Sequence, residues 1–322
     1  MKTMHQIGII FPGQGSQYVG MGKDFYDNYE IVREMFTIAR NILCCDIESL
    51  IFVGPKEKLK ETFFTQVSVY LVSVAIFEAF KQNNKCDVEK CIFAGHSLGE
   101  YSALYASNAV DFTTGLKLVK RRAELISQCA QRIKSGMVAA IGLDRSTVIE
   151  ICESVRKKGF IVEPANFNSP KQIVISAEER GLQEVSSIIK ERGGKPITLE
   201  VSGGFHSTLM DEAAEAFAKE IEEYEIHDPI APIVSNYDAK ISSDKETIKY
   251  KLVKQINHPV YWQDCVHTMI NAGVRRFIEI GPKAVLTGLM KHILQESPYC
   301  QDVTVVNIST VEELAAYQPK SS

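Results

Sequence analysis

An α/β fold, with a mainly parallel sheet and a smaller inserted unit, is predicted by three features of the chain. A short apolar run at residues 7–11 feeds a glycine-rich loop, Pro12-Gly13-Gln14-Gly15-Ser16-Gln17, the way many α/β domains open. The pentapeptide Gly95-His96-Ser97-Leu98-Gly99 sits between an apolar run at 91–94 and a helix-like stretch at 100–106. Between residues 135 and 202 strand-like and helix-like patterns follow in the order β-α-β-β-α-β, that of a ferredoxin-like unit.

After the strand at 7–11, residues 21–26 carry a helical pattern, and helical periodicity continues through 31–43, 49–53 and 66–80. The strand at 91–94 ends in the pentapeptide, and 114–133 reads as a long helix. The pattern changes after Ser135-Gly136. Strands are expected at 137–141, 161–165, 172–176 and 195–201, with helices at 146–157 and 179–192. The chain then returns to helices, with short strands at 233–235 and 276–280. The large domain is therefore expected to be discontinuous, residues 1–134 and 203–322, around a small domain at 135–202. The tail at 318–322 reads as disordered.

With 322 residues, 45% hydrophobic and 24% charged, the composition is that of a soluble globular chain. A formal charge of -4 argues against a nucleic-acid partner, which needs clustered Lys and Arg. The densest basic cluster, Lys117-Leu118-Val119-Lys120-Arg121-Arg122, lies inside a helical pattern. The eight cysteines contain no C-x-x-C pair, and Cys44-Cys45 are adjacent, which suits neither a zinc knuckle nor a secreted disulfide framework. Residues 1–10 hold no secretory core, and the longest apolar stretch, 67–80, is interrupted by Ser68, Ser73 and Glu78 and is too short to span a bilayer. A cytoplasmic protein without a membrane partner is expected.

The pentapeptide is a G-x-S-x-G nucleophile elbow in its strand-turn-helix setting, where a serine on a tight turn exposes its hydroxyl above the sheet edge. A plain structural turn is the competing reading. Ser97 needs a base to remove its proton, and seven histidines compete. His96 abuts Ser97, but adjacent residues on a sharp turn point apart. His206 is preferred, because in Val201-Ser202-Gly203-Gly204-Phe205-His206-Ser207 a strand ends in glycines that allow close backbone approach. A satisfied loop histidine is its alternative. His5, His227, His258, His267 and His292 lie in terminal, polar or helical contexts. No carboxylate is an obvious third member, and a backbone carbonyl can orient the imidazole through Nδ1.

An oxyanion needs backbone N–H donors, here the amide of Leu98 and one from the Gly13-Gln14-Gly15 loop. That loop does not read as a dinucleotide site, since Gly13, Gly15 and Gly20 do not complete G-x-G-x-x-G. An inward Arg122 would bind a carboxylate through two parallel hydrogen bonds. Taken alone, Arg121 and Arg122 read as solvated helix charges.

Phe11-Pro12-Gly13-Gln14-Gly15-Ser16-Gln17, Gly95-His96-Ser97-Leu98-Gly99-Glu100-Tyr101, Arg122, Asn166-Phe167-Asn168-Ser169-Pro170, Gly204-Phe205-His206-Ser207 and Gly281-Pro282-Lys283-Ala284-Val285-Leu286-Thr287-Gly288-Leu289 together resemble the malonyl-CoA:acyl carrier protein transacylases. The similarity runs from about residue 7 to about residue 295. It implies a hydrolase-like core with a parallel sheet, carrying the ferredoxin-like subdomain, with the site between them. It also implies Ser97 as nucleophile, His206 as base, the amides of Gln14 and Leu98 as oxyanion hole, and Arg122 as clamp for a malonyl carboxylate. Gln66 matches a glutamine lining the family's acyl pocket, and Asn166 an asparagine near its active site, with loop ordering as the alternative role. Phe205 resembles the phenylalanine that narrows room for an α-methyl branch, which favours malonyl over methylmalonyl.

One departure concerns the group that orients the histidine. Tyr261, in Asn257-His258-Pro259-Val260-Tyr261-Trp262, stands where bacterial relatives often place glutamine, so a main-chain carbonyl there is expected to accept the His206 proton. The implied reaction is ping-pong transfer of malonyl from malonyl-CoA to the phosphopantetheine thiol of an acyl carrier protein, for fatty acid or polyketide synthesis. It needs no metal and no bound cofactor, and a monomer is expected to perform it. The alternatives are a hydrolase that clears acyl groups from carrier proteins and a silent docking subunit of a synthase. An inward Arg122 speaks against the first, and intact Ser97 and His206 against the second.

Overall fold

The computed structural model describes residues 7–84, 87–298 and 301–318. His5 and residues 319–322 of the tail lie outside the described residues. Ile7–Phe11 forms β1 and Cys91–Gly95 forms β2, paired in parallel with Ile9 opposite Phe93. The second sheet takes the next four strands, Ser135–Ile141 (β3), Val162–Ser169 (β4), Gln172–Glu178 (β5) and Lys195–Thr198 (β6). The chain then rejoins the first sheet through Ile233–Val234 (β7), Ile241–Ser242 (β8), Arg276–Ile280 (β9) and Thr304–Ile308 (β10).

The first sheet runs β10-β9-β1-β2-β7-β8 and is parallel except for the β7–β8 pair. Its central strands β1 and β2 carry no polar side chain because both of their faces are covered. Ile9, Phe11, Phe93 and Ile278 enter one core, while Ile10, Ile92, Ala94 and Phe277 enter the other, following the two-residue period of a strand. Sequence patterning does not foresee β8 and β10. The first has two residues, and the second is a half-exposed edge strand broken by Thr304 and Asn307.

Two helix starts differ from expectation for local reasons. The helix expected at 21–26 runs Lys23–Asn28, because Gly20 and Gly22 take φ of 95° and 72° and keep the chain out of the helix until Lys23. The helix expected at 114–133 runs Phe112–Ala130, because Asp111 caps it by accepting the Thr114 amide. The apolar stretch at 67–80 belongs to a longer helix, Thr62–Asn84. Contrary to the sequence reading, its Thr62–Asn83 part is long and apolar enough to cross a membrane. It packs instead against the helices Glu30–Leu43, Gly99–Ala106 and Phe112–Ala130, with 83% of its most apolar window buried. A helix apolar on all sides suits a site enclosed by other helices.

The second sheet is antiparallel in the order β4-β5-β3-β6, the ferredoxin-like arrangement of β-α-β-β-α-β, and packs against the helices Arg145–Arg156 and Glu179–Glu191. Val138, Ala140, Ile173 and Ile175 enter the small unit's own core. Their strand neighbours Met137, Ala139 and Val174 face the other way and line a cavity between the two sheets. β6 ends at Thr198 rather than 201, and Leu199 and Val201 join the cavity wall.

Candidate active site

The elbow is built by backbone contact. A Cβ at Gly95 would fall 1.9 Å from the carbonyl carbon of Gly99, and one at Gly99 would fall 2.2 Å from the Phe11 oxygen. Only glycine at both positions lets β1, β2 and the helix Gly99–Ala106 meet. Ser97 takes φ of 52° on this turn, a left-handed conformation that non-glycine residues hold only when their surroundings fix it. Asn236, just after β7, supplies the fixing. Its Oδ1 accepts the Ser97 amide at 2.6 Å and its Nδ2 donates to the Gly95 oxygen at 2.8 Å.

His206 also has a positive φ, 58°, after the close-packed Gly203-Gly204 pair. Its Nε2 lies 2.7 Å from Ser97 Oγ, and its Nδ1 lies 2.7 Å from the main-chain oxygen of Gln255. A carbonyl only accepts, so Nδ1 carries the proton and Nε2 is free to accept from the serine. Burial first, and then the neighbouring Arg122 cation, push the His206 pKa down to about 3. The ring is therefore neutral at physiological pH.

The orienting carbonyl corrects the expectation at Tyr261. Gln255 lies in the last turn of the helix Lys245–Asn257, where carbonyls have no partner within the helix and remain available. Tyr261 does something else. Its ring stacks on Phe167 at 5.3 Å, and the Arg145 guanidinium lies 4.1 Å from the Phe167 centroid.

The Gln255 side chain ties the site together. Its Oε1 accepts from Arg122 at 3.0 Å, and its Nε2 donates to the Ser97 main-chain oxygen at 2.8 Å and to Glu100 Oε2 at 2.7 Å. The same Glu100 oxygen accepts the Asn236 amide at 3.1 Å. Burial raises the Glu100 pKa, against the pull of these hydrogen bonds. Sequence reasoning missed Gln255 and Asn236, and placed Glu100 only as a motif letter.

Arg122 is buried, on the helix face shared by Leu118, Val119 and Ile126. Arg121 points away and pairs with Glu220 and Glu124. Arg122 Nη1 donates to Gln66 Oε1 at 2.5 Å and Nη2 to Ser97 Oγ at 3.1 Å. Its Nε has no acceptor among the described residues, and none of its hydrogen bonds there goes to a carboxylate. Burial lowers its pKa from the usual arginine value. The Glu100 charge, joined to it through Gln255, offsets part of this burial, and an anion bonded directly to the guanidinium would offset more.

These groups surround a cavity of about 320 Å³, whose walls include Gln14, Gln66, Leu98, Asn166, Phe205 and His206. The amides of Gln14 and Leu98 donate to no acceptor among the described residues. Gly13 holds the first loop against the elbow, since a Cβ there would fall 2.3 Å from the His96 oxygen. Asn166 sits on β4 beside a register shift and bridges to Val260. Asn168, at a second register shift, also lines the cavity and bonds His96 Nε2 at 2.7 Å, turning that ring away from the serine. The Phe205 oxygen accepts from Ser176 Oγ, anchoring the small sheet to the histidine loop.

An α/β core with a strand-turn-helix serine, a neutral histidine in hydrogen-bond contact and two unused amides defines the class of serine acyltransferases and hydrolases. The acyl transferase domain family matches residues 9–319. The malonyl CoA-acyl carrier protein transacylase of Bacillus subtilis is 38% identical over 291 residues, 90% of this chain and 91% of that protein. The crystal structure of an acyl carrier protein S-malonyltransferase from Vibrio cholerae superposes with a TM-score of 0.89 at 37% identity, covering 97% of this chain and 99% of that one. A malonyl-transacylase in complex with its type II PKS acyl-carrier protein gives 0.90 at 34% identity, covering 97% and 98%. The chain belongs to the acyl transferase domain family, among the malonyl CoA-acyl carrier protein transacylases.

Proposed function

We propose that this chain transfers a malonyl group from malonyl-CoA to the phosphopantetheine thiol of an acyl carrier protein, through a malonyl ester on Ser97, for fatty acid or polyketide synthesis. The observation that carries this reading is one hydroxyl lying between a neutral base and an unpaired cation, with Ser97 Oγ 2.7 Å from His206 Nε2 and 3.1 Å from Arg122 Nη2.

In the first half-reaction His206 Nε2 takes the serine proton as Oγ attacks the thioester carbonyl. The amides of Leu98 and Gln14 receive the oxyanion. The carbon–sulfur bond then breaks, and His206 passes its proton to the coenzyme A thiolate. In the second, the carrier's thiol gives its proton to His206, its sulfur attacks the ester carbonyl, and Ser97 Oγ leaves with the proton. Arg122 neutralises the free carboxylate throughout, while Gln66 and Gln255 hold the guanidinium in orientation. Phe205 limits room for an α-methyl branch, and Asn166 shapes the wall on the small-sheet side. Neither metal nor bound cofactor takes part. The protein works in the cytoplasm as a monomer, its cavity lying between residues 1–134 with 203–322 and residues 135–202. A hydrolase for uncharged acyl chains would have no use for the unpaired guanidinium.

Incubation with malonyl-CoA should add one malonyl group to the intact mass of the wild type and none to Ser97→Ala. A wild type that never acylates would sink the reading. Arg122→Ala should lose about 100-fold more in malonyl transfer than in acetyl transfer, the weight of a desolvated charge-assisted contact. Equal losses on malonyl-CoA and acetyl-CoA would remove the clamp.

A further inference from the structure

A second cavity, of about 630 Å³, opens beside the first and shares Gln14, Gly15, Leu199 and Val201 with it. Three lysines line it: Lys56, Lys60 and Lys283. Lys60 is answered by Glu200 at 2.5 Å. Lys56 and Lys283 have no salt-bridge partner among the described residues. They lie close enough together that the Lys56 charge, after burial, lowers the Lys283 pKa. Lys283 Nζ donates to the Gly15 oxygen at 3.1 Å, from a backbone held at φ of 62°. A side-chain-bearing residue adopts that conformation at a cost, which here directs an ammonium group over the rim shared by the two cavities. Glu200 also lines the groove and feels the Lys56 charge, but it is bonded to Lys60, so three ammonium groups against one carboxylate leave a field that favours an anion. Between them and Ser97, the shared wall includes the apolar side chains Leu199 and Val201.

We propose that this groove is the subsite for the phosphate ester at the far end of the pantetheine arm. Lys56 and Lys283 grip the phosphate oxygens, and the arm runs along Leu199 and Val201 to bring its sulfur to Ser97. The inference rests on the transfer reading above, because only a thiol arm has reason to reach from one cavity into the other. Coenzyme A and a carrier protein carry the same phosphate at the same distance from sulfur, so one pair of lysines serves both half-reactions. Lys60, already paired with Glu200, contributes shape and less charge.

The test compares two thioesters that differ by the phosphate alone, malonyl-phosphopantetheine and malonyl-pantetheine, in acylation of Ser97 followed by intact mass. The wild type should favour the phosphorylated donor by about tenfold in kcat/KM, as one or two charge-assisted contacts would give. The Lys56→Ala/Lys283→Ala variant should bring that ratio close to one, and Lys56→Arg/Lys283→Arg should keep it. A wild-type ratio of one, or a ratio unchanged in the alanine variant, overturns the subsite. So does a loss seen only with holo carrier protein as acceptor, which would put the lysines against the carrier's surface instead. Failure of the wild type to acylate with either thioester would overturn the transfer reading, and the subsite with it.

Discussion

Gly95 ends a strand of the large sheet and Gly136 lies in a strand of the small one, yet an added methyl meets very different surroundings. On Gly95 it would fall 1.9 Å from the backbone of Gly99; on Gly136 it would fall 3.1 Å from the end of the Leu182 side chain. The large sheet's side of the cavity is fixed by backbone contacts and by the Ser97–Asn236–Glu100–Gln255 hydrogen bonds. The small sheet's side is a face of side chains, the apolar Met137, Ala139 and Val174 beside Asn166, Asn168 and Gln172. In the proposed reaction, bonds are made and broken against the first surface, and the second measures the acyl group. Side chains can move aside for a changed neighbour where backbone cannot.

The largest test of this contrast is the pair Gly95→Ala and Gly136→Ala. The first should cost more than about 4 kcal/mol in urea unfolding or leave no soluble protein, and the second about 1 kcal/mol or less. Comparable losses would break the comparison.

Acid should weaken the hydrogen-bonded side next. The folded His206 pKa is pushed down to about 3, below the ordinary histidine value of about 6.5 that holds when unfolded. Between those values the unfolded chain takes up a proton that the folded one refuses, so stability falls as pH falls. The urea unfolding free energy of the wild type should drop more steeply than that of His206→Asn, by roughly 1.4 kcal/mol per pH unit. Parallel profiles would mean that His206 is not held neutral.

The smallest effect is expected on the apolar side. Val174→Ala should raise the methylmalonyl to malonyl ratio in Ser97 acylation by about tenfold at most, with malonyl transfer itself little altered. A collapse of malonyl transfer would show that the small sheet also positions the reacting groups.

The parts of the fold legible in the sequence are those written in local patterns. β1 and β2 are apolar runs beside glycine loops, and the small unit alternates its elements within a short span. The inward direction of Arg122 was also available, since Leu118, Val119 and Ile126 share its helix face while Arg121 lies about 100° round the axis. Asn166 and Asn168, alternate residues of one strand, carried a similar signal. The partners that complete the site were not legible. Asn236 and Gln255 lie 139 and 158 residues from the serine they hold, and the group accepting the His206 proton is a main-chain oxygen that any residue could offer. Matching a glutamine by position pointed to Tyr261, whereas the structure supplies the oxygen from the end of the preceding helix.

Gln255 contacts the nucleophile's backbone, the base's ring and the cation's fork at once. In the proposed reaction, nucleophile, base and clamp therefore share one mode of failure. A shift in the last turn of the helix Lys245–Asn257 would not trade rate against affinity; it would misalign every reacting partner together. The alignment of the site thus hangs on an amide on the far side of the reacting groups, which no substrate need ever touch.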